Sequence, residues 1–120
     1  MSNIDLTQMI TAGEKTRRAA EARHMAAKTE CRRRILAVVD EVTQMNLAHA
    51  LLAEQARRGA GGGDSALTEN EVATIRRMQG WIAEMRAACA TATDDPSRPV
   101  DDAAHWPAPP EGLAALAARF

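Results

Sequence analysis

Residues 14–58 contain neither glycine nor proline, and that uninterrupted run most limits what the chain can become. Read as one helix it would be roughly 65–70 Å long. That is beyond an ordinary globular helix and suits a coiled coil or a protruding arm. Most of the large aliphatic residues lie in its rear part, Cys31 to Arg58. Ile35, Val38, Val42, Met45, His49, Leu52 and Ala56 follow one another in steps of three and four, which makes one stripe of a helix. Leu36, Val39 and Leu51 widen that stripe toward a core-facing arc. The apolar set is mainly Ala, Leu, Val and Met, with one Phe, two Trp and no Tyr. Such a set suits close helix–helix packing and lacks the β-branched and aromatic runs of a sandwich or barrel. The expected class is all-α.

The expected order is as follows. Residues 1–11 form an N-terminal arm carrying Ile4, Leu6, Met9 and Ile10. Thr11 stands three residues before Glu14, the spacing of a capping box, and opens a helix over about 12–58. Through its front half a heptad passes Ile10, Gly13, Arg17, Ala20, His24, Ala27 and Cys31, then a four-residue stutter reaches Ile35. Arg17 and His24 at interior positions leave two readings open, a solvated charged helix or an oligomer seam. A glycine-rich turn occupies 59–67, with Gly59 at the helix end just after Arg57 and Arg58. Thr68-Glu69-Asn70-Glu71 places threonine at a cap and glutamate at the third helical position. It starts a second helix over about 69–90, striped by Val72, Ile75, Met78, Ile82, Met85 and Cys89 with Trp81 alongside. The two helices make an antiparallel hairpin over 12–91. Residues 92–120 form a strap rich in proline and aspartate that ends in a short helix. In it Trp106 docks on the hairpin or on a second chain, and Leu113, Leu116, Ala117 and Phe120 share one face.

The lengths do not match. A second helix of about 22 residues spans about 33 Å, enough to cover only Ile35 to Arg58. The front half is left without a partner in its own chain, and a lone helix depends on packing for its stability. The expectation is therefore self-association into a homotrimer or other small oligomer, parallel and through the long helix. Within the chain, Ile35, Val38, Val42, Met45 and Leu52 are expected to pack against Val72, Ile75, Ile82 and Met85. His49 is expected as a hydrogen-bonded core or interface histidine, and Trp106 and Phe120 as further packing residues.

Little in the chain suggests chemistry. The formal charge is −1, so bulk charge does not mark a nucleic-acid binder. The basic run Arg32-Arg33-Arg34, with Arg17, Arg18, Arg23 and Lys28, reads as a solvated helix face, because no aromatic residues interleave for base stacking. Cys31 and Cys89 are too few for a disulfide framework and match no zinc spacing; both are expected as small buried thiols. The GAGGG turn lacks the Lys-Ser/Thr ending of a phosphate loop. Gln44 and Asn46 lie close to the apolar stripe, where an amide can fix helix register. No catalytic, cofactor-binding or metal-binding residues are expected, nor a small-molecule substrate, a secretory leader or a membrane span. Synthesis in the cytoplasm follows.

The order of ILAVVDEVTQMNLAHALL, a glycine-containing break, RRMQGWIAEMRAAC and a closing WPAPPEGLAALAARF resembles small helical proteins, or helical C-terminal domains, from bacteriophage and prophage tail modules beside tail-fibre genes. The features that carry the resemblance are Gln44, Asn46, Leu47 and Ala50, then Trp81-Ile82 with Met85 and Cys89, then Trp106-Pro107 and Phe120. It covers most of the chain from about Cys31 onward. It implies a non-catalytic structural role in the virion tail, as a fibre- or baseplate-associated component with other tail or fibre proteins as partners. A tail-fibre assembly chaperone, or a small helical nucleic-acid-binding regulator, are the alternatives.

Overall fold

The structure, a computed structural model, describes residues 2–61 and 67–120, with side chains from residue 11 onward. The arm expected over residues 1–11 is instead part of a helix from Ser2 onward; the packing of Ile4, Leu6, Met9 and Ile10, and the middle of the glycine turn, lie outside what is described. The chain is all-helical. Its elements are α1 (Ser2–Val38), α2 (Glu41–Gly59), α3 (Glu69–Asp94), a 3-10 turn at Ala103–His105, and α4 (Leu113–Ala117). The molecule is a rod of 81 × 26 × 18 Å.

The single helix expected over 12–58 is two helices, bent by 62° at the α1–α2 junction. The cause is Asp40. Its backbone is extended, with φ −73° and ψ 170°, and its carboxylate accepts the Thr43 N–H at 2.7 Å, so it is the N-cap of α2. The Gln44 side-chain amide donates to the Val39 carbonyl at 3.0 Å and satisfies a group that the break would strand. Gln44 thus stabilises a corner. At the other end, Thr11 is not a cap, because the helix already runs through it from Ser2.

α2 ends on the basic residues Arg57 and Arg58. The left-handed residue that closes it is Gly61, at φ +75°, not Gly59, which is still helical. A side chain at Gly61 would strain the backbone. α3 begins as its sequence indicates. Glu71 N–H donates to Thr68 Oγ1 at 3.1 Å, and Thr68 N–H donates to Glu71 Oε1 at 2.9 Å. These two bonds complete a capping box.

α3 runs antiparallel to α1, with Cys31 opposite Met85 and Arg23 opposite Ala92 and Thr93. It continues to Asp94, four residues past the expected end, because Arg23 meets its free carbonyls. The Arg23 guanidinium donates to the carbonyls of Ala92 at 2.7 Å and Thr93 at 3.0 Å, and also to those of Asp95 and Arg98. One positive group therefore closes the negative end of α3 and holds the first turn of the strap.

The strap then runs back beside both helices. Trp106 is buried and donates its indole N–H to the Val100 carbonyl at 2.9 Å. Trp81 donates to the Pro107 carbonyl at 3.1 Å. Arg34 donates to the Asp101 carbonyl at 2.9 Å and stands 6.0 Å from the Trp106 ring centroid. Leu113 and Leu116 of α4 enter the core, Arg119 pairs with Glu71, and Asn46 donates to the Phe120 carbonyl at 3.2 Å. The core holds Ala27, Cys31, Ile35 and Val39 of α1 and Leu47 and Leu51 of α2. Val72, Ile75, Met78, Trp81, Met85, Cys89 and Ala92 of α3 join them, closed over by the strap and α4.

Candidate interaction surface

The expected packing residues divide sharply. Ile35, Val72, Ile75, Trp81, Met85 and Trp106 are buried, and Val38 and Ile82 pack at the core edge. Val42, Met45 and Leu52 do not pack within the chain: they are 68%, 59% and 62% exposed. His49, between them, is exposed too, and so is not a core histidine. Phe120 is only partly covered, at 37%.

The inward face of α2 is instead Thr43, Leu47, Leu51 and Glu54. Two of these four are polar, so a pattern that maximises apolar count selects the opposite side. Glu54 is 2% exposed yet tolerated, because Arg57 and Arg58 reach it at 3.0 and 3.1 Å. Val42, Met45, His49 and Leu52 thus still form one stripe, but it faces solvent.

The second open region is the leading part of α1. Cover begins at Arg23 and Ala27, well before the expected Ile35, because the bend at Asp40 lets α3 lie along α1 instead of along a straight rod. Ahead of that point, Thr11 to Ala22 are exposed without exception. The reason is reach: α3 ends where Arg23 caps it, and the strap turns back from that same point.

The basic run is largely engaged inside the chain. Arg32 pairs with Glu41 at 2.6 Å. Arg33 and Arg34 both grip Glu30, at 2.6 and 2.9 Å. The Arg33 guanidinium, opposed by burial and aided by Arg34, holds the Glu30 carboxyl below its ordinary value. Asp40 is lowered mainly by the Thr43 N–H, and Glu71 mainly by the Thr68 N–H with Arg119 assisting.

Cys31 and Cys89 are free and buried. Burial, followed by the neighbouring Cys89, pushes the Cys31 thiol up, away from the reactive thiolate. Its S–H points to the Met85 carbonyl at 3.5 Å. Among the described residues no three His, Cys, Asp or Glu side chains are placed to hold a metal ion. No single helix among them is long and apolar enough to cross a membrane.

One cleft, of about 480 Å³, lies between α1 and α3 beside the bend. Its floor is Cys31, Ile35, Leu36, Ile82 and Cys89, and its rim is His24, Lys28, Arg32 and Arg86, with Glu41 and Gln44 at the α2 end. No periodicity argument singled it out, because it needs α1 and α3 aligned side by side. No known protein family, curated protein or solved structure matches the chain.

Proposed function

We propose that the chain is a structural, non-catalytic adaptor of a phage tail, associated with a fibre or baseplate, that works by packing its helices against neighbouring proteins and further copies of itself. The observation that supports this reading is the bare leading segment of α1, exposed from Thr11 to Ala22. A helix of this kind gains little stability alone in water and gains it by lying against another helix. The outward stripe of Val42, Met45 and Leu52 offers a second surface of the same character. The tail assignment itself comes from the motif resemblance around Gln44, Trp81 and Trp106.

A nucleic-acid role fits less well, because Arg32, Arg33 and Arg34 already face carboxylates of their own chain. Mass spectrometry of tail particles purified from induced cells tests the reading. The chain should be present at a fixed ratio to the fibre or baseplate protein. Its absence from finished particles, with binding to the free fibre, would instead make it an assembly chaperone.

A further inference from the structure

We infer that the open flank of the α1–α3 pair is a groove for an amphipathic helix of a partner protein, one whose apolar stripe is bordered by acidic residues. This rests on the adaptor reading and names the chemistry of the partner that reading requires.

Two antiparallel helices leave a groove on each side. Here one side is filled. Arg23, Glu30 and Arg34 lie on the flank of α1 that meets the strap. His24, Lys28 and Arg32, four residues apart, form a ridge on the other flank. Between that ridge and Arg86 of α3 runs the cleft, floored by apolar side chains and thiols. The rim from His24 to Leu36 is about 18 Å long, room for about three helical turns.

Charge decides the occupant. Lys28 and Arg86 are exposed and form no ion pair with a described residue. Arg32 is shared with Glu41, the cleft's one carboxylate. The rim is therefore positive in a chain whose formal charge is −1. The filled flank shows what this pair of helices accepts. The strap seats the apolar Trp106 there, held by Arg23 and Arg34 donating to its backbone carbonyls, among them those of Asp95 and Asp101. A second copy is a poor occupant, since its leading segment over residues 11–22 sets Lys15, Arg17 and Arg18 against only Glu14 and Glu21, and its outward α2 stripe is bordered by Glu41 alone.

The test titrates the full chain, labelled for amide NMR, with a synthetic helix of about 15 residues bearing a Leu/Ala stripe flanked by Glu, and with its Lys-flanked counterpart. The Glu-flanked peptide should shift amides within 28–36 and 82–90. Its affinity should fall roughly tenfold or more in the Lys28→Glu/Arg86→Glu variant, and again as salt rises from about 50 to about 500 mM. Both substitutions are on exposed side chains, and an unchanged circular dichroism spectrum will show that the variant is folded.

Equal binding of the Lys-flanked peptide, silence at those amides, or indifference to the double substitution would overturn the inference. So would shifts there caused by laurate alone, which would mark a lipid site, or shifts that grow with protein concentration alone, which would mark a second copy. Particle composition is a separate measurement. A chain present in the tail but with a silent groove would end this inference and leave the adaptor reading standing.

Discussion

α2 and α3 differ in how many of their sides are covered. α3 lies against α1, α2, the strap and α4, and turns all its large apolar side chains into the core or its edge. α2 packs mainly on α3 and α4 and touches α1 through the Arg32–Glu41 ion pair. It turns Leu47 and Leu51 inward and leaves Val42, Met45 and Leu52 in solvent. A helix with one covered side and apolar residues on two sides can hold its own fold together and still present a surface to a partner. The apolar surface of α3 is used within the chain apart from the part of Ile82 and Cys89 that floors the cleft, whereas a whole stripe of α2 is left in solvent.

The largest test of this difference uses two leucines of α2. Leu47 is fully buried and Leu52 is 62% exposed. Leu47→Ala should destabilise the chain by about 2–4 kcal/mol through lost burial and a cavity. Leu52→Ala should change stability by less than about 0.5 kcal/mol. Urea unfolding curves measure both; equal losses would mean that both faces of α2 are covered, and a reversed order that its other face is the inward one.

A smaller effect is expected at the caps. Thr68→Ala removes half of the capping box on α3 and should cost about 1 kcal/mol of global stability. Asp40→Ala removes the cap of α2, and should be felt locally, as faster hydrogen exchange at the amides of residues 41–44. Global destabilisation by Asp40→Ala equal to that of Thr68→Ala would show that α2 unfolds only with the rest.

The smallest and most diffuse effect is that of acid. Glu30, Asp40 and Glu71 are held below their ordinary values by Arg33, the Thr43 N–H and the Thr68 N–H respectively. The unfolded chain therefore binds their protons more readily than the folded one. Their stabilisation is complete above the ordinary carboxylate range near 4.5 and is lost as pH falls through the lowered values. Urea midpoints should hold from neutral pH to about 5 and decline below about 4, with α2 amides losing protection before those of α3.

How much was legible follows from the same contrast. α3 was readable because local and global signals agree: Thr68 and Glu71 mark its start, and Val72, Ile75, Met78, Met85 and Cys89 share one face that is the buried face. The α1–α2 bend carried a real but quiet signal. Asp40 followed by Glu41 is a serviceable helix start, overlooked because no glycine or proline accompanies it. The basic-rimmed cleft had no local signal, since its two walls lie some fifty residues apart in the chain.

The sequence by itself determined the helical class, the start of α3 and the inward stripe of that helix, because propensity and capping act over a few turns of chain. Only the tertiary structure decided which face of α2 turns inward. A 62° corner at Asp40 reorients that helix, and the pairing of Glu54 with Arg57 and Arg58 lets a polar face enter the core. The three-dimensional arrangement likewise decided where α3 ends, for the group that caps its final carbonyls is Arg23, carried in by a different helix.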